Sequence, residues 1–228
     1  MSSKATLEKE LSWLPLKPSQ ELQVLKHRPN RGYIHPTALV ETERVGPDTR
    51  IWAFTHVSSG AVIGAKCNIG SHCYVESGVT IGDGVTVKNG NYLWDGVTIC
   101  NGAFVGPQVV FTNDLRPRSP RLPQAARRYR DDDWLSPTMV GEGASIGGGA
   151  VIRAGVSLKR FCMVGAGAVV TKSVPAHALV LGVPARIAGW VCCCGAKLAF
   201  EREIDTKARC EECFCEFESV GGELQARR

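Results

Sequence analysis

The sequence repeats with a period of six residues, and this repeat limits the folds open to the chain more than any other feature. An aliphatic residue recurs at every sixth position, and a mostly small residue follows four places after each one. The aliphatic series is Val45, Ile51, Val57, Ile63, Ile69, Val75, Ile81, Val87, Leu93, Ile99, Val105, and again Val140, Ile146, Ile152, Leu158, Val164 and Val170. Such a repeat is typical of a β-helix, in which three hexads form one triangular coil around the aliphatic residues.

The repeat therefore predicts an all-β fold, with a parallel β-helix of about six coils over residues 33–189. An alternating β-sandwich would show a period of two without a fixed period of six. The phase of the repeat breaks between Phe111 and Val140, which are 29 positions apart, and 29 is not a multiple of six. Residues 112–139 are therefore expected to project from the β-helix as a loop, and long loops on regular scaffolds are often functional.

Composition and charge exclude several classes of protein. Hydrophobic residues make up 44% and charged residues 21% of the 228 positions, which is typical of a globular chain and excludes wholesale disorder. The net charge of +5 is too small to mark a nucleic-acid binder, but it suits a phosphorylated ligand. No apolar stretch approaches the roughly 18 residues of a membrane span, and MSSKATLEKELSW lacks a signal-peptide core. We expect a cytoplasmic protein without nucleic-acid or membrane partners.

Polar and aromatic residues 18 positions apart are expected to stack at one position of successive coils. Asp95 and Asn113 are related in this way, so the loop should leave the β-helix beside Asp95. Asn89 lies in the same coil as Asp95, one hexad earlier. A second ladder consists of His56, Tyr74 and Tyr92. Ladders of this kind are candidate binding residues, although each member can equally be a solvated or packed surface side chain.

The loop is rich in arginine. Its six arginines are Arg116, Arg118, Arg121, Arg127, Arg128 and Arg130. Arginine suits bidentate recognition of phosphate or carboxylate, although the cluster can also pair with the acidic residues 131–133. Arg116 and Arg118 are the preferred binding candidates, because they lie nearest the departure point and the prolines beside them restrict the backbone.

Ten cysteines include a group near the C-terminus with metal-ligand spacing. Cys192-x-Cys194 is followed after fifteen residues, the first of them a glycine, by Cys210-x-x-Cys213, which is typical of a zinc ribbon with four thiolate ligands. Cys215 is an alternative to Cys213. Acidic residues around the second pair favour a structural role over nucleic-acid binding. Three further cysteines occupy small slots of the repeat and are interpreted as packing residues, namely Cys67, Cys73 and Cys162.

Three segments of the chain resemble a known enzyme family. They are VKNGNYLWDGVTI, VGPQVVFTNDLRPRS and VGAGAVVTKSVPAHALVLGVPARIAGWVCCCGAKL. Together they resemble the N-acetyltransferases of nucleotide-linked amino sugars, within the left-handed β-helix acyltransferases. The nearest subgroup is similar to the UDP-2-acetamido-3-amino-2,3-dideoxy-glucuronate N-acetyltransferases, which share the GW-x-C-x-C-G ending. The resemblance covers roughly residues 33–215.

The resemblance implies a left-handed β-helix, a homotrimer, and acetyl-CoA as the acetyl donor for an amino hexose carried on UDP or dTDP. A neutral amine already holds a lone pair, so the family is thought to position it for direct attack on the thioester. Asn89 then orients the amine and His56 assists, while Asp95 and Asn113 bind the sugar. Lys88-Asn89-Gly90 replaces the Gln-Asn-Asn typical of the family, and Ala53 replaces a second histidine, which leaves the sugar open.

The same resemblance suggests a binding site for acetyl-CoA near the last coils. Gly165, Ala166 and Gly167 would present backbone amides beside the β-helix. Lys172 and Arg186 are candidates for the phosphates of CoA, although both can be ordinary surface charges.

Other functions stay open at this point. An O-acetyltransferase would use His56 or His72 as a general base. A non-catalytic scaffold would lack saturable acetyl-CoA binding. A β-helix carbonic anhydrase would need three converging histidines, and its typical pair spaced five apart is absent. The predicted domains are an N-terminal extension (1–32), the acyltransferase β-helix (33–189), the zinc ribbon (190–217) and a tail (218–228).

Overall fold

The computed structural model describes residues 32–199, 207–220 and 223–227. The chain divides into two compact units, residues 1–30 and 31–228, and the described residues belong to the second. The predicted N-terminal extension, apart from residue 32, lies outside the described residues. Within the described part, no helix is long and apolar enough to cross a membrane, and the cytoplasmic location stays a prediction.

The described residues form an all-β structure, which confirms the predicted fold class. The strands are β1 (Tyr33–Ile34), β2 (Leu39–Val40), β3 (Arg50–Ile51), β4 (His56–Val57), β5 (Val62–Ile63), β6 (Asn68–Ile69), β7 (Tyr74–Val75), β8 (Thr80–Ile81), β9 (Thr86–Val87), β10 (Tyr92–Leu93), β11 (Val97–Ile99), β12 (Phe104–Val105), β13 (Val110–Phe111), β14 (Thr138–Val140), β15 (Ser145–Ile146), β16 (Val151–Ile152), β17 (Ser157–Leu158), β18 (Met163–Val164), β19 (Val169–Val170), β20 (Ala178–Leu181), β21 (Arg186–Val191), β22 (Lys197–Leu198), β23 (Lys207–Arg209), β24 (Glu216–Val220) and β25 (Glu223–Arg227).

Parallel strands build the three faces of a triangular β-helix. The first face contains β1, β3, β6, β9, β12, β15, β18 and β20, the second β2, β4, β7, β10, β13, β16 and β19, and the third β5, β8, β11, β14 and β17. In the coil of β9 to β11, the first corner (residues 88–91) joins the first and second faces. The second corner (residues 94–96) joins the second and third faces, and the third corner (residues 100–103) leads back to the first face.

Eight parallel strands on the first face correspond to about eight coils, rather than the six expected from the repeat. The additional coils lie at the two ends, where the hexad pattern is less regular. Backbone hydrogen bonds hold these coils, for example from Tyr33 N–H to the carbonyl of Thr49 (2.9 Å) and from Gly165 N–H to that of Val180 (2.9 Å). A terminal coil can therefore stack without a strict repeat, because the ladder uses the backbone and needs no particular side chain.

The interior of the β-helix is a continuous aliphatic column. The residues of the aliphatic series from Ile51 onward are almost completely buried. Polar residues in the small slots are buried as well, and each finds hydrogen-bond partners. Thr55 Oγ1 donates to the carbonyl of Gly70 (2.6 Å), and Asn91 Nδ2 donates to that of Gly106 (2.9 Å). These side chains therefore close the corners from inside, at little cost for burying a polar group.

The chain leaves the β-helix after β13 and returns at β14, so residues 112–137 form a projecting loop at the second corner. The loop contains one short α-helix, α1 (Pro123–Ala126), and two 3-10 helices (Arg127–Tyr129 and Asp132–Trp134). The β-helix continues without a gap below it, because Val110 of β13 pairs with Val151 of β16.

The last strands change direction. β21 pairs antiparallel with β20, and β22 pairs antiparallel with β21, so the first face runs directly into the C-terminal cysteine region. β23, β24 and β25 form a separate antiparallel sheet. The described residues of the predicted tail, 218–220 and 223–227, thus belong to the antiparallel pair of β24 and β25.

Candidate active site and cysteine cluster

The ladder predicted for the second face is present. Tyr74 pairs with His56 on one side and with Tyr92 on the other. The His56 ring packs edge-on against Tyr74 at 5.3 Å between ring centroids, and its Nε2 lies 3.3 Å from Oε1 of Glu41. The Nε2 atom is shielded from solvent, yet it lacks the geometry of a hydrogen bond to that carboxylate. His56 is therefore held between an aromatic ring and an acid.

Asp95 occupies the second corner, where the loop begins. Its N–H donates to Oε2 of Glu76 (2.8 Å), and its Oδ1 accepts from Gly96 N–H (2.7 Å). Asn113 Nδ2 donates to the carbonyl of Asp95 (3.4 Å), as the spacing of 18 residues predicts. Gly78 has φ +88°, and a Cβ there would collide with the Asp95 carboxylate. A glycine is thus required directly beneath Asp95.

An aromatic surface borders this corner, and sequence reasoning did not include its central member. Trp94 lies between Tyr74 (5.7 Å between centroids) and Tyr92 (6.0 Å, nearly parallel rings). Tyr92 is about half exposed, so this surface is open to a ligand. Stacked aromatic rings of this kind can bind the flat face of a base or the apolar face of a sugar. The sequence signal for this surface is Trp94 in the turn Trp94-Asp95-Gly96, because an aromatic residue directly precedes Asp95 at the corner.

Asn89 lies at the first corner and is exposed. Its Oδ1 accepts a hydrogen bond from Ser71 N–H (3.1 Å), one coil below. Asp83 and Asn101 do the same at the third corner, where they accept from the N–H groups of Ala65 (2.7 Å) and Asp83 (2.8 Å). Asn89 thus caps a turn. Its Nδ2 has no partner among the described residues, and its Oδ1 keeps a second lone pair.

The structure does not bring the two predicted catalytic residues together within one chain. Asn89 precedes β10, whereas Asp95 follows it, and His56 lies two coils further down on the same face. His72 is the histidine that shares the corner of Asn89, because it directly follows Ser71. The His72 ring stacks on Phe54 at 4.9 Å between centroids, and both rings are exposed.

The GAG segment lies on the same corner as Asn89. Successive hydrogen bonds from Gln108 to Asn89, from Gly149 to Pro107 and from Gly167 to Gly148 trace this corner. The segment is three coils above Asn89, which is about 14 Å at ~4.8 Å per coil.

The backbone amides of this segment are only partly free. Gly165 N–H donates to the carbonyl of Val180 (2.9 Å), and Gly167 N–H donates to that of Gly148 (3.0 Å). Of the three N–H groups of this segment, only that of Ala166 makes no hydrogen bond to a backbone carbonyl within residues 32–199. The expectation of three approachable amides was wrong for the two glycines, because β-helix stacking uses them.

The two basic candidates for CoA are exposed and lie at different corners. Arg186 begins β21 and follows a turn on the first corner, where Ala185 N–H donates to the carbonyl of Val169 (2.8 Å). Lys172 follows β19 at the second corner. Arg186 is therefore the nearer of the two to the GAG segment.

The loop contains an ion pair that sequence reasoning missed. Arg128 binds both carboxylate oxygens of Asp114, with Nη1 2.7 Å from Oδ2 and Nη2 2.5 Å from Oδ1. The Tyr129 hydroxyl donates to Oδ2 of Asp114 (2.8 Å). Hydrogen bonds from the Arg128 guanidinium hold the pKa of the Asp114 carboxyl well below its usual range. Of the two arginines predicted to bind ligand, Arg116 and Arg118, neither guanidinium contacts an acid within the described residues.

The four predicted metal ligands come together. The Sγ atoms of Cys192, Cys194, Cys210 and Cys213 all lie within 4.8 Å of one another. The pair Cys192–Cys213 is 3.3 Å apart and the pair Cys194–Cys210 is 3.6 Å apart. Tetrahedral zinc with Zn–S bonds of about 2.3 Å places its sulfurs ~3.8 Å apart, so the cluster fits this metal.

The cysteine region is attached to the end of the β-helix through His177. This buried residue contacts the carbonyl of Val191 through Nδ1 (3.0 Å), directly before Cys192. Its ring stacks on Phe161 and packs edge-on against Phe217 of β24. Burial lowers the pKa of His177, which favours the neutral ring in this contact.

The cysteines predicted as packing residues are buried. Cys67, Cys73 and Cys162 all lie inside the β-helix. Burial raises the pKa of the Cys162 thiol to about 12, so this group stays protonated at neutral pH. The structure thus offers these three thiols no role as nucleophiles.

Comparison with known proteins supports the class that the fold defines. Residues 60–94 and 137–172 match the family model of the hexapeptide repeat of succinyl-transferase, which agrees with the repeated coils of the fold. The dTDP-3-amino-3,6-dideoxy-alpha-D-galactopyranose 3-N-acetyltransferase of Aneurinibacillus thermoaerophilus is 50% identical over 179 residues, which are 78% of this chain and 87% of that protein. The chain therefore belongs to the family of nucleotide-linked amino-sugar N-acetyltransferases, as its sequence motifs predict.

Solved structures of an N-acetyltransferase and an N-acyltransferase are similar to this chain at lower identity. A perosamine N-acetyltransferase mutant from Caulobacter crescentus, in complex with CoA and GDP-perosamine, is 24% identical with a TM-score of 0.36. The match covers 70% of this chain and 57% of the length of that chain. A mutant of AntD, an N-acyltransferase from Bacillus cereus in complex with dTDP and coenzyme A, is 16% identical with a TM-score of 0.41. That match covers 83% of this chain and 89% of that chain.

Proposed function

We propose that the protein transfers the acetyl group of acetyl-CoA to the amine of a hexose carried on dTDP or UDP. The observation that carries this proposal is the 50% identity to an enzyme whose name gives a dTDP-linked 3-amino sugar as its substrate. The exposed ring of Tyr92 and the half-buried ring of Trp94, beside Asp95 and below an arginine-rich loop, suit a ligand with rings, hydroxyls and phosphates.

The reaction needs no general base on the protein. The neutral amine attacks the thioester carbonyl carbon, the C–S bond breaks, and the CoA thiolate takes up the proton that the nitrogen releases. Asn89 contributes to this step in one of two ways: Nδ2 donates to the carbonyl oxygen as charge develops, or the second lone pair of Oδ1 accepts from the amine. For acetyl-CoA, the free N–H of Ala166 and the exposed Arg186 are the supporting groups at the first corner.

A panel of dTDP- and UDP-linked amino sugars, incubated with acetyl-CoA while thiol release is followed, tests this function. We expect saturable thiol release with at least one 3-amino or 4-amino sugar and none with the matching hydroxyl sugar. Turnover of the hydroxyl sugar alone would instead support an O-acetyltransferase. No thiol release with any sugar would contradict the proposed function.

We also propose that the four clustered thiolates hold a structural zinc ion. The sulfur positions fit tetrahedral coordination, as described above. Since all four ligands come from the protein, the site is closed, and closed sites are structural.

The active protein is further proposed to be a homotrimer, with the second face at the interface between subunits. The outward residues of this face are Leu39, His56, Tyr74, Tyr92, Val110, Val151 and Val169. This row is almost wholly apolar or aromatic over seven strands, whereas the outward residues of the third face include Thr80, Thr98 and Ser157. An interface there puts Tyr92 at the boundary between two subunits, so the ligand that contacts Tyr92 and Trp94 would lie between two chains. It also explains how residues that are separated within one chain, Asn89 and His56, can serve one active site.

A charge on the second face tests the trimer. Val110→Asp is expected to give a monomer of 24.6 kDa by light scattering, because an aspartate buried against another subunit loses its hydration without gaining a partner. The matched control is Thr80→Asp, an exposed position of the third face, which should keep the trimer mass of 3 × 24.6 = 73.8 kDa. If Val110→Asp stays trimeric like the control, the second face is not the interface.

A further inference from the structure

Three side chains of the projecting loop form a closed network, which we call the clasp: Asp114, Arg128 and Tyr129. The Arg128 guanidinium binds both oxygens of the Asp114 carboxylate, and the Tyr129 hydroxyl donates to the same carboxylate. Arg128 Nη1 also lies 3.0 Å from the Tyr129 hydroxyl. The side chain of Asp114 is only 10% exposed, so the clasp joins the two ends of the arginine-rich segment from within.

The clasp also holds the backbone of the segment Arg116–Arg118, which we call the arginine arm. Arg128 Nη1 donates to the carbonyl of Arg116 (3.1 Å). Arg118 N–H donates to the Tyr129 hydroxyl (2.9 Å), and Arg116 N–H donates to Oδ1 of Asp114 (2.7 Å). Each clasp residue therefore makes one hydrogen bond to the arm. Pro117 between the two arginines restricts the backbone further.

The guanidinium groups of the arm are left for a ligand. Within the described residues, the Arg116 side chain makes no hydrogen bond or ion pair, and that of Arg118 reaches only the carbonyl of Pro117 (3.1 Å). Both side chains are exposed. Two cations two residues apart on a fixed backbone, with no acid paired to them in the part of the chain that the structure describes, suit a ligand with two adjacent negative charges, such as a diphosphate.

The two ends of the loop place the arginine arm next to Asp95, on the side of the candidate site that is proposed to bind the sugar. Asn113 Nδ2 donates to the carbonyl of Asp95 (3.4 Å), and Ser136 N–H donates to the carbonyl of Asn113 (2.9 Å). Leu135, which pairs with Asp114, lies over Gly96. The loop is therefore tied to the second corner at both of its ends, next to Asp95, whereas the GAG segment lies on the first corner.

We propose that Asp114, Arg128 and Tyr129 are positioning residues that hold Arg116 and Arg118 ready to bind the diphosphate of the nucleotide-linked sugar. The inference rests on the proposed function. Without the clasp, the arm samples many conformations in the free enzyme, and binding must pay to order two long side chains. The loss therefore falls on the affinity for the nucleotide sugar and leaves the chemical step intact.

Steady-state kinetics of the full-length protein test this assignment. Arg128→Ala and Asp114→Ala are each expected to raise the KM for the nucleotide sugar by about 10-fold, with kcat and the KM for acetyl-CoA within ~2-fold. The matched control is Arg121→Ala, an exposed arginine of the same loop outside the clasp, which should behave like wild type. Tyr129→Phe is a milder variant that removes a single hydroxyl and is expected to raise the same KM by a few-fold.

A double-mutant cycle separates positioning from a merely structural role. In the Arg128→Ala background, Arg116→Ala should raise the KM for the nucleotide sugar by a much smaller factor than Arg116→Ala does in the wild type, because the arm is already released. Additive effects, or a KM for the sugar no higher than in Arg121→Ala, would overturn the proposal. A rise in the KM for acetyl-CoA instead would assign the arm to CoA and equally overturn it. The melting temperature of each variant shows whether the fold is kept.

Binding of dTDP and UDP, measured by calorimetry, makes the test independent of turnover. The nucleoside diphosphates carry the group that the arm is proposed to bind. A higher Kd for the nucleoside diphosphates in Arg128→Ala than in Arg121→Ala supports the clasp, even if the wild type acetylates no sugar of the panel. A lack of acetylation would contradict only the proposed function. Equal Kd values in an active enzyme would contradict only the clasp.

Discussion

Replacing Cys194 with Ser is expected to abolish zinc binding, whereas wild-type protein holds about one zinc ion per chain. Structural zinc contributes on the order of 10–16 kcal/mol to the folding of small zinc domains, so its loss should unfold the ribbon. Among the described residues, the ribbon has few other means of support. Its buried residues in this part of the chain are Cys192, Leu198, Ala208, Cys210, Phe217 and Leu224. Only three of these are large apolar side chains, too few to stabilise a separate small core.

The matched control for this prediction is Cys193→Ser, since Cys193 lies between two ligands but outside the quartet. This variant should keep its zinc. Elemental analysis gives the metal content, and hydrogen exchange of residues 207–227 reports whether the ribbon is folded. The β-sheet circular dichroism should persist in both variants, because the coils are held by their own ladder. Zinc-free wild-type protein with protected ribbon amides would contradict the metal site.

Asn89→Ala is expected to lower kcat/KM by ~10–100-fold, which corresponds to about 1.4–2.7 kcal/mol at 1.36 kcal/mol per factor of ten. The side chain amide is exposed at the first corner with Nδ2 free, so its contact with the reacting atoms is lost in the variant. His56→Ala should lower kcat/KM by a smaller factor, because an amine nucleophile needs no proton removed before attack. An obligate histidine base would instead cost ~10²–10⁴-fold.

A second asparagine supplies the control for the structural role of Asn89. Asn101 caps a turn at the third corner with a hydrogen bond to Asp83 N–H (2.8 Å), much as Asn89 does with Ser71 N–H (3.1 Å). Asn101→Ala should therefore reproduce any loss of stability without the loss of activity. His72→Ala belongs in the same series, since His72 shares the corner of Asn89. Loss of turnover in either histidine variant, with Asn89→Ala nearly intact, would favour the O-acetyltransferase.

The pH dependence gives a further readout of the same mechanism. The rate is expected to rise with pH toward the pKa of the substrate amine, because only the neutral amine attacks the thioester. That proton belongs to the ligand, so wild type and His56→Ala should show the same profile. A profile whose inflection disappears in His56→Ala would contradict direct amine attack.

The parts of the structure that follow from the sequence are those that depend on local spacing. Each hexad contacts the hexads 18 residues before and after it, so a period of six implies both the coils and their register. The ladder of His56, Tyr74 and Tyr92 and the stacking of Asp95 on Asn113 follow directly. The cysteine quartet can be predicted from the sequence for a similar reason. The two ligands of each pair lie in one short turn, so their spacing along the chain already matches that of a metal site.

The remaining features depend on the path of the chain in three dimensions. Asp114 and Arg128 are 14 residues apart in an irregular loop, and nothing in their spacing selects Arg128 over five other arginines. Asn89 and His56 are assigned to one active site by the family resemblance, yet a corner and two coils separate them within one chain. Periodicity places a residue on a face or at a corner, since backbone ladders impose that order. Which side chains then meet across a loop or between subunits is decided only by tertiary and quaternary packing.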